Sequence, residues 1–157
     1  MFALTKKTDY AIIALSHMAQ CPGVVCKARD IADRFHMPAA LLMNVLKNLC
    51  QGELVRSTRG VKGGYALALP PDEITLDSII QVVEGPVRFV QCAGELPAGE
   101  ANCELLANCP VTRPVRKLHN RLKEFLKQVT LAQIAYDCDY GDKNVSISRE
   151  GAVVRME

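Results

Sequence analysis

Apolar positions recur at helical spacing along most of this chain, interrupted by one pair of short alternating runs. From Thr5 to Gln20 the stripe Ala11, Leu15 and Met18, with Ile12 and Ile13 beside it, predicts a helix that Thr5 caps and Cys21-Pro22-Gly23 stops. Lys27 to Phe35 predicts a second, short helix that buries Ile31, Ala32 and Phe35, with Cys26 where a capping Ser is expected. After the tight connection His36-Met37-Pro38, a third helix is expected to run to about Gln51, with Leu42, Val45, Leu46 and Leu49 on one face and Gly52 as its stop. Leu54–Ser57 and Tyr65–Leu69 read as two strands around a basic, glycine-rich turn, ended by Pro70-Pro71. Thr75 to Glu84 is helical on Leu76, Ile79, Ile80 and Val83, and Gly85-Pro86 breaks it. A long irregular loop is expected over 86–110. The helix predicted over 112–129 places Val115, Leu118, Leu122, Phe125 and Val129 at spacings of 3, 4, 3 and 4. Thr130-Leu131-Ala132-Gln133 has the form of a capping box that opens one last short helix. Residues 137–157 are polar and irregular, and no role is assigned to them.

Two short helices joined by a tight turn make a helix-turn-helix candidate. A strand, a basic glycine-rich tip and a strand directly after it make a winged helix. The hairpin alone fits a solvated surface turn equally well; the helices before it favour DNA. The expected fold is mostly α: a winged helix-turn-helix domain over 1–85, a cysteine-bearing loop over 86–111, a long dimerisation helix with a short terminal helix over 112–136, and a tail over 137–157. The 3-4 stripe of the long helix reads as a coiled-coil seam, so Val115, Leu118, Leu122, Phe125 and Val129 are the expected interface of a homodimer. The competing reading is a helix packed on its own domain.

Composition narrows the function. The chain has 157 residues, 49% apolar and 23% charged, enough to bury a core, and aromatic residues are only 5% with no Trp. Charges interrupt every apolar run, and Met1–Ile13 lacks a signal-peptide layout, so a soluble cytoplasmic protein without membrane partners is expected. Charge is segmented: residues 1–69 hold nine basic and four acidic side chains, and residues 70–110 hold one and seven. The first third can approach a polyanion and the middle cannot. No nucleotide-binding glycine motif, Ser/His/Asp signature or plausible carboxylate pair is present, so neither an enzyme nor a small-molecule substrate is expected. Seven cysteines with no export signal argue for reduced thiols, metal ligands or redox chemistry. Three of them, Cys92, Cys103 and Cys109, lie on the long loop with the spacing C-x10-C-x5-C. Thiolates there suit an iron–sulfur cluster or zinc, and a metal-free thiol switch is the alternative. Cys138 and His17 are held as back-up ligands.

The run Leu4-Thr5-Lys6-Lys7-Thr8-Asp9-Tyr10-Ala11, the pair Ile31-Ala32, and the stretch from Leu54-Val55 through Arg59-Gly60 to Gly63-Gly64-Tyr65, with a cysteine loop and long helix after them, resemble the Rrf-two family of winged-helix transcription regulators over residues 1 to about 136. Glu84-Gly85-Pro86-Val87, Cys103-Glu104 and Cys109-Pro110-Val111 look most like its regulators of SUF iron–sulfur assembly. The resemblance implies that Cys92, Cys103 and Cys109 hold a [2Fe–2S] or [4Fe–4S] cluster. Some members complete the shell with a His three residues after the last Cys, which here is Thr112; others use an Asp from the partner's first helix, which here is Asp9. The other reading of Asp9 is a first-turn carboxylate favoured by the helix dipole. The implied function is a dimeric regulator, expected to repress, whose binding to a palindromic operator follows iron–sulfur status, oxygen or nitric oxide. The alternative is a cluster-free regulator that uses thiols, zinc, a metabolite or a partner protein.

On DNA the third helix is expected in the major groove, with Ala39, Ala40, Met43, Asn44 and Lys47 outward. Asn44 can pair with adenine and Lys47 with guanine or phosphate, while Ala39 and Ala40 permit close approach or touch a thymine methyl. Arg59 and Gly60 at the tip suit a narrow minor groove, and Lys6, Lys7, Lys27 and Lys62 are phosphate candidates.

Overall fold

The computed structural model describes residues 4–60, 62–88 and 108–136. Three helices come first: α1 (Lys6–Gln20), α2 (Ala28–Arg34) and α3 (Ala39–Gln51). A hairpin follows, of β1 (Val55–Thr58) and β2 (Gly64–Leu67), and then α4 (Leu76–Glu84), α5 (Thr112–Gln128) and α6 (Leu131–Ala135).

The element boundaries have local causes. Thr5 caps α1 by accepting the N–H of Lys7. Thr75 and Thr130 form reciprocal capping boxes with Ser78 and Gln133. The cap of α2 is Lys27, with no side-chain bond, so Cys26 does not take the expected capping role. Its backbone instead exchanges two 2.8 Å hydrogen bonds with Tyr65, and the α1–α2 connection lies against β2 as a third, one-residue strand.

The hairpin is antiparallel, running from Val55 opposite Leu67 to Thr58 opposite Gly64. Its tip needs glycine twice. Gly60 has φ +114°, a conformation that L side chains rarely adopt, and Gly63 donates its N–H to the Gly60 carbonyl at 2.9 Å. A Cβ on Gly64 would lie 2.5 Å from the Cys26 carbonyl oxygen. Gly64→Ala is therefore expected to break the Cys26–Tyr65 pairing and to destabilise the protein by about 1–3 kcal/mol, the range for a small residue forced into a packed site. A denaturation midpoint equal to that of the wild type would refute this.

One core unites the elements. Ala11, Ala14, Leu15 and Met18 of α1 pack with Ile31 and Ala32 of α2, Leu42, Val45, Leu46 and Leu49 of α3, Ile79 of α4, and Leu131 and Ala135 of α6. The alanines of α1 let its neighbours approach closely, and α1 is flanked by α3, α4 and α6. The last helix is tied in by backbone as well: Leu131 donates to the Ile74 carbonyl at 2.7 Å and Leu76 to that of Val129 at 2.8 Å. Tyr136 donates its hydroxyl to the Ala19 carbonyl at 2.8 Å, and the Gln20 amide donates to that of Ala135 at 2.8 Å. Residues 129–136 thus belong to the core of the winged-helix half. Among the described residues no helix is long and apolar enough to cross a membrane.

Candidate nucleic-acid interface and cysteine locus

The helix-turn-helix is built by α2 and α3, joined through His36, which takes the left-handed conformation at φ +52°. Met37 donates its N–H to the Ala32 carbonyl at 2.9 Å and buries its side chain, which fixes the angle between the two helices. Four residues anchor α3 in the core, and Ala39, Ala40, Met43, Asn44 and Lys47 all lie on its exposed side. Lys6, Lys27, Arg59, Gly60 and Lys62 are exposed as well, the last three at the hairpin tip. The expected reading helix and wing therefore offer accessible groups, and the apolar face of α3 is spent on folding.

The cysteine locus is described at its two borders. Cys92 and Cys103 lie outside the described residues, as does Cys138. Cys109 is half-buried in the turn that opens α5. The Thr112 hydroxyl, aided by the backbone N–H groups of Val111 and Thr112, holds its thiol below the ordinary value against a small opposing effect of burial. That hydroxyl also donates to the Cys109 carbonyl at 3.2 Å. Among the described residues no three His, Cys, Asp or Glu side chains converge as a metal site. Asp9 is exposed in the first turn of α1. His17 is not its neighbour: eight residues further on, about 12 Å along the helix at 1.5 Å per residue, it sits edge-on to Phe35 at 5.5 Å. Burial and the Arg34 guanidinium hold His17 below the ordinary imidazole value. Burial likewise raises the thiols of Cys26 and Cys50, which behave as small apolar residues.

The other border is held by Glu84, whose role sequence reasoning did not identify. At the end of α4 its carboxylate accepts the backbone N–H of Thr5 at 3.0 Å, the Thr5 hydroxyl at 2.5 Å and the Thr8 hydroxyl at 2.7 Å. An acid is poorly placed at its own helix's C-terminus but well placed at the N-terminus of α1. This clasp fixes the start of α1, and with it Asp9, beside the point where the cysteine-bearing segment begins. The only signal in the sequence is the pairing of Thr5 and Thr8 with an acid 76 residues from Thr8, which local patterns do not reveal.

The Thr5 and Thr8 hydroxyls, with smaller help from the Thr5 N–H and Lys7, hold the Glu84 carboxyl below its ordinary 4.5, against a modest opposing effect of burial. A carboxyl depressed in the folded state stabilises above the unfolded value and loses that stabilisation as pH falls through the folded one. Thermal midpoints of the wild type should therefore fall below about pH 4.5, and Glu84→Gln should flatten that part of the decline. At pH 7 Glu84→Ala should cost about 0.5–2 kcal/mol, the range for losing a helix cap. Identical pH profiles for wild type and Glu84→Gln would refute this assignment.

The long helix presents two sides. His119 and Leu126 are buried, and α5 packs on α4. Leu118 and Phe125 are 51% and 52% exposed, Val111 is exposed with them, and Val115 and Leu122 are half-buried. Val129 leaves this stripe: it is 4% exposed and lies in the protomer's own interior, so it is not an available interface residue. The helix ends at Gln128, and Val129 turns the chain into α6.

Comparison with known proteins agrees with this architecture. IscR of Aliivibrio salmonicida, named an HTH-type transcriptional regulator, is 32% identical over 136 residues, covering 85% of this chain and 77% of that one. Among solved structures, CymR (YrzC), the global cysteine regulator of B. subtilis, superposes with a TM-score of 0.69 at 28% identity, covering 88% of this chain and all of that one. The T. potens IscR structure gives a TM-score of 0.65 at 26% identity, covering 92% and 94%. These relatives are transcription regulators and not enzymes. The family described as iron-dependent transcriptional regulators, Rrf2, matches residues 4–137, and with its winged helix, exposed α3 face and basic tip the chain belongs to this family of DNA-binding regulators.

Proposed function

We propose that this regulator binds a palindromic operator as a homodimer and that an iron–sulfur cluster controls the binding. The observation that supports this best is how the cysteine-bearing segment is bordered. It starts beside Glu84, bonded to the head of α1, and it ends at Cys109, at the head of the helix that carries the exposed apolar stripe. A change of state in that segment would act on a DNA-binding domain and on the dimer helix together. Cys92, Cys103 and Cys109 would hold the cluster, with Asp9 of the second subunit as the fourth ligand. Three thiolates suit iron, and the lowered thiol of Cys109 fits a ligand that binds deprotonated. The cluster would supply a state that changes with iron supply, oxygen or nitric oxide.

The chain's own residues perform the rest. Lys6, Lys27 and Lys62 engage phosphates, which sets affinity and its salt dependence. Asn44 and Lys47 address base edges, and Arg59 at the wing tip enters the minor groove. Held by the Glu84 clasp, α1 carries the position of Asp9 into the core that supports α3. Loss of the Asp9 ligand would release one DNA-binding domain from the other subunit and change the spacing of the two reading heads, a population shift between two states. Repression follows where the operator overlaps a promoter.

The test is anaerobic purification with iron, acid-labile sulfide and visible absorption measured per subunit. Operator binding is then measured before and after air or nitric oxide. About four irons per subunit would indicate the larger cluster and about two the smaller. Absence of iron and sulfide after reconstitution would overturn the proposal. The likeness to CymR, the global cysteine regulator of B. subtilis, supports a second reading in that event: a cluster-free regulator controlled by thiol chemistry or a metabolite.

A further inference from the structure

The side of α3 turned away from the core is chemically uneven. Ala39 and Ala40 are short, Asn44 carries an amide and Lys47 a charge, and between them Met43 is 55% exposed. α3 spans 13 residues without one Asp or Glu, so it offers no carboxylate to accept from the cytosine amino group. A long apolar side chain left in water on a DNA-facing helix gives up the transfer energy that its neighbours Leu42 and Leu46 gain by burial.

We infer that Met43 is a specificity-determining residue, reading the 5-methyl group of a thymine in the major groove. That methyl is the one apolar group a base pair displays there, and it separates T·A from every other pair. The thioether side chain is flexible and polarizable and can adapt to a methyl group at the groove wall. Ala39 and Ala40 leave room for the helix to come close. Met43 and Asn44 are adjacent on α3, about 1.5 Å apart along its axis, less than the 3.4 Å between base pairs. The two side chains can therefore address one pair or two neighbouring pairs: Asn44 takes adenine N6 and N7, and Met43 takes a thymine methyl. The half-site should contain a T·A pair whose methyl is required.

This inference rests on α3 as the reading helix, and it is independent of the cluster. The probe is a duplex selected from random DNA by the full-length protein, with each dT replaced singly by dU, which removes only the methyl. For the wild type, one dT in each half-site is expected to lose about 3- to 10-fold in affinity on replacement. Met43→Ala should bind the dT and dU duplexes equally, close to the wild type's dU value. Its melting temperature should be unchanged, because the side chain is exposed.

If Met43→Ala keeps the full dT-to-dU difference, or if no replacement affects the wild type, Met43 is not the reader. Asn44→Ala and Lys47→Ala report on the premise separately. Unchanged affinity and an unchanged selected site in both would remove α3 from the groove and overturn the inference at its base.

Discussion

Phe125→Glu is expected to yield a folded monomer that binds the proposed palindromic operator at least about 100-fold more weakly than the wild type. Phe125 is 52% exposed in the protomer, so a charge there costs the fold little. In a two-fold dimer the same position, with Leu118 and Val111, would lie in the seam, where an uncompensated carboxylate opposes association. Joining two half-site contacts raises affinity by about 10²–10⁴ through effective concentration, and a monomer forfeits that gain. Light scattering after size exclusion, together with operator titration, reads both quantities. Leu126→Ala is the control: at 6% exposed it belongs to the protomer interior, and its loss should lower the melting temperature without favouring monomers. A Phe125→Glu protein that stays dimeric, or a monomer that binds as tightly as the wild type, would refute the seam.

Leu131→Ala should lower the thermal midpoint by about 5–15 °C. The side chain is fully buried and sits in the same core as α1 and α4. Emptying such a site costs about 2–5 kcal/mol, and in a chain of this size each kcal/mol moves the midpoint by about 2–4 °C. The effect should appear although residue 131 lies far along the chain from α3, because α6 closes one side of α1. A shift under about 2 °C would mean that α6 is an accessory to the domain.

What the sequence made legible was local. The caps at Thr5 and Thr130 follow from residue type and position before an apolar stripe, and the winged helix follows from helical period, turn residues and a basic tip; the reciprocal box of Thr75 with Ser78 was found only in the structure. Structure was needed wherever partners lie far apart in sequence. Cys26 resembles a cap by position, yet its backbone pairs with Tyr65 across the wing. Glu84 resembles a surface acid at a helix end, yet it holds α1. Val129 continues the 3-4 spacing without belonging to the exposed stripe, because spacing records which residues share a face and not what covers that face. The candidate DNA-contact groups were readable because exposed positions of an amphipathic helix are the complement of its buried ones. Of the cysteine triad, only Cys109 falls among the described residues.

The return of α6 to the first helix also bears on how the chain is made. Helices α1 to α4 leave the ribosome first, with the groove that Leu131 and Ala135 will fill still open. Leu131 lies forty-seven positions after Glu84. At synthesis rates of about 5–20 residues per second, their passage takes roughly 2–9 s. For that interval the DNA-binding half presents an unfilled apolar groove to chaperones and to neighbouring nascent chains. Translation speed through the cysteine-bearing segment and α5 thus sets how long the unfinished protein is exposed to aggregation.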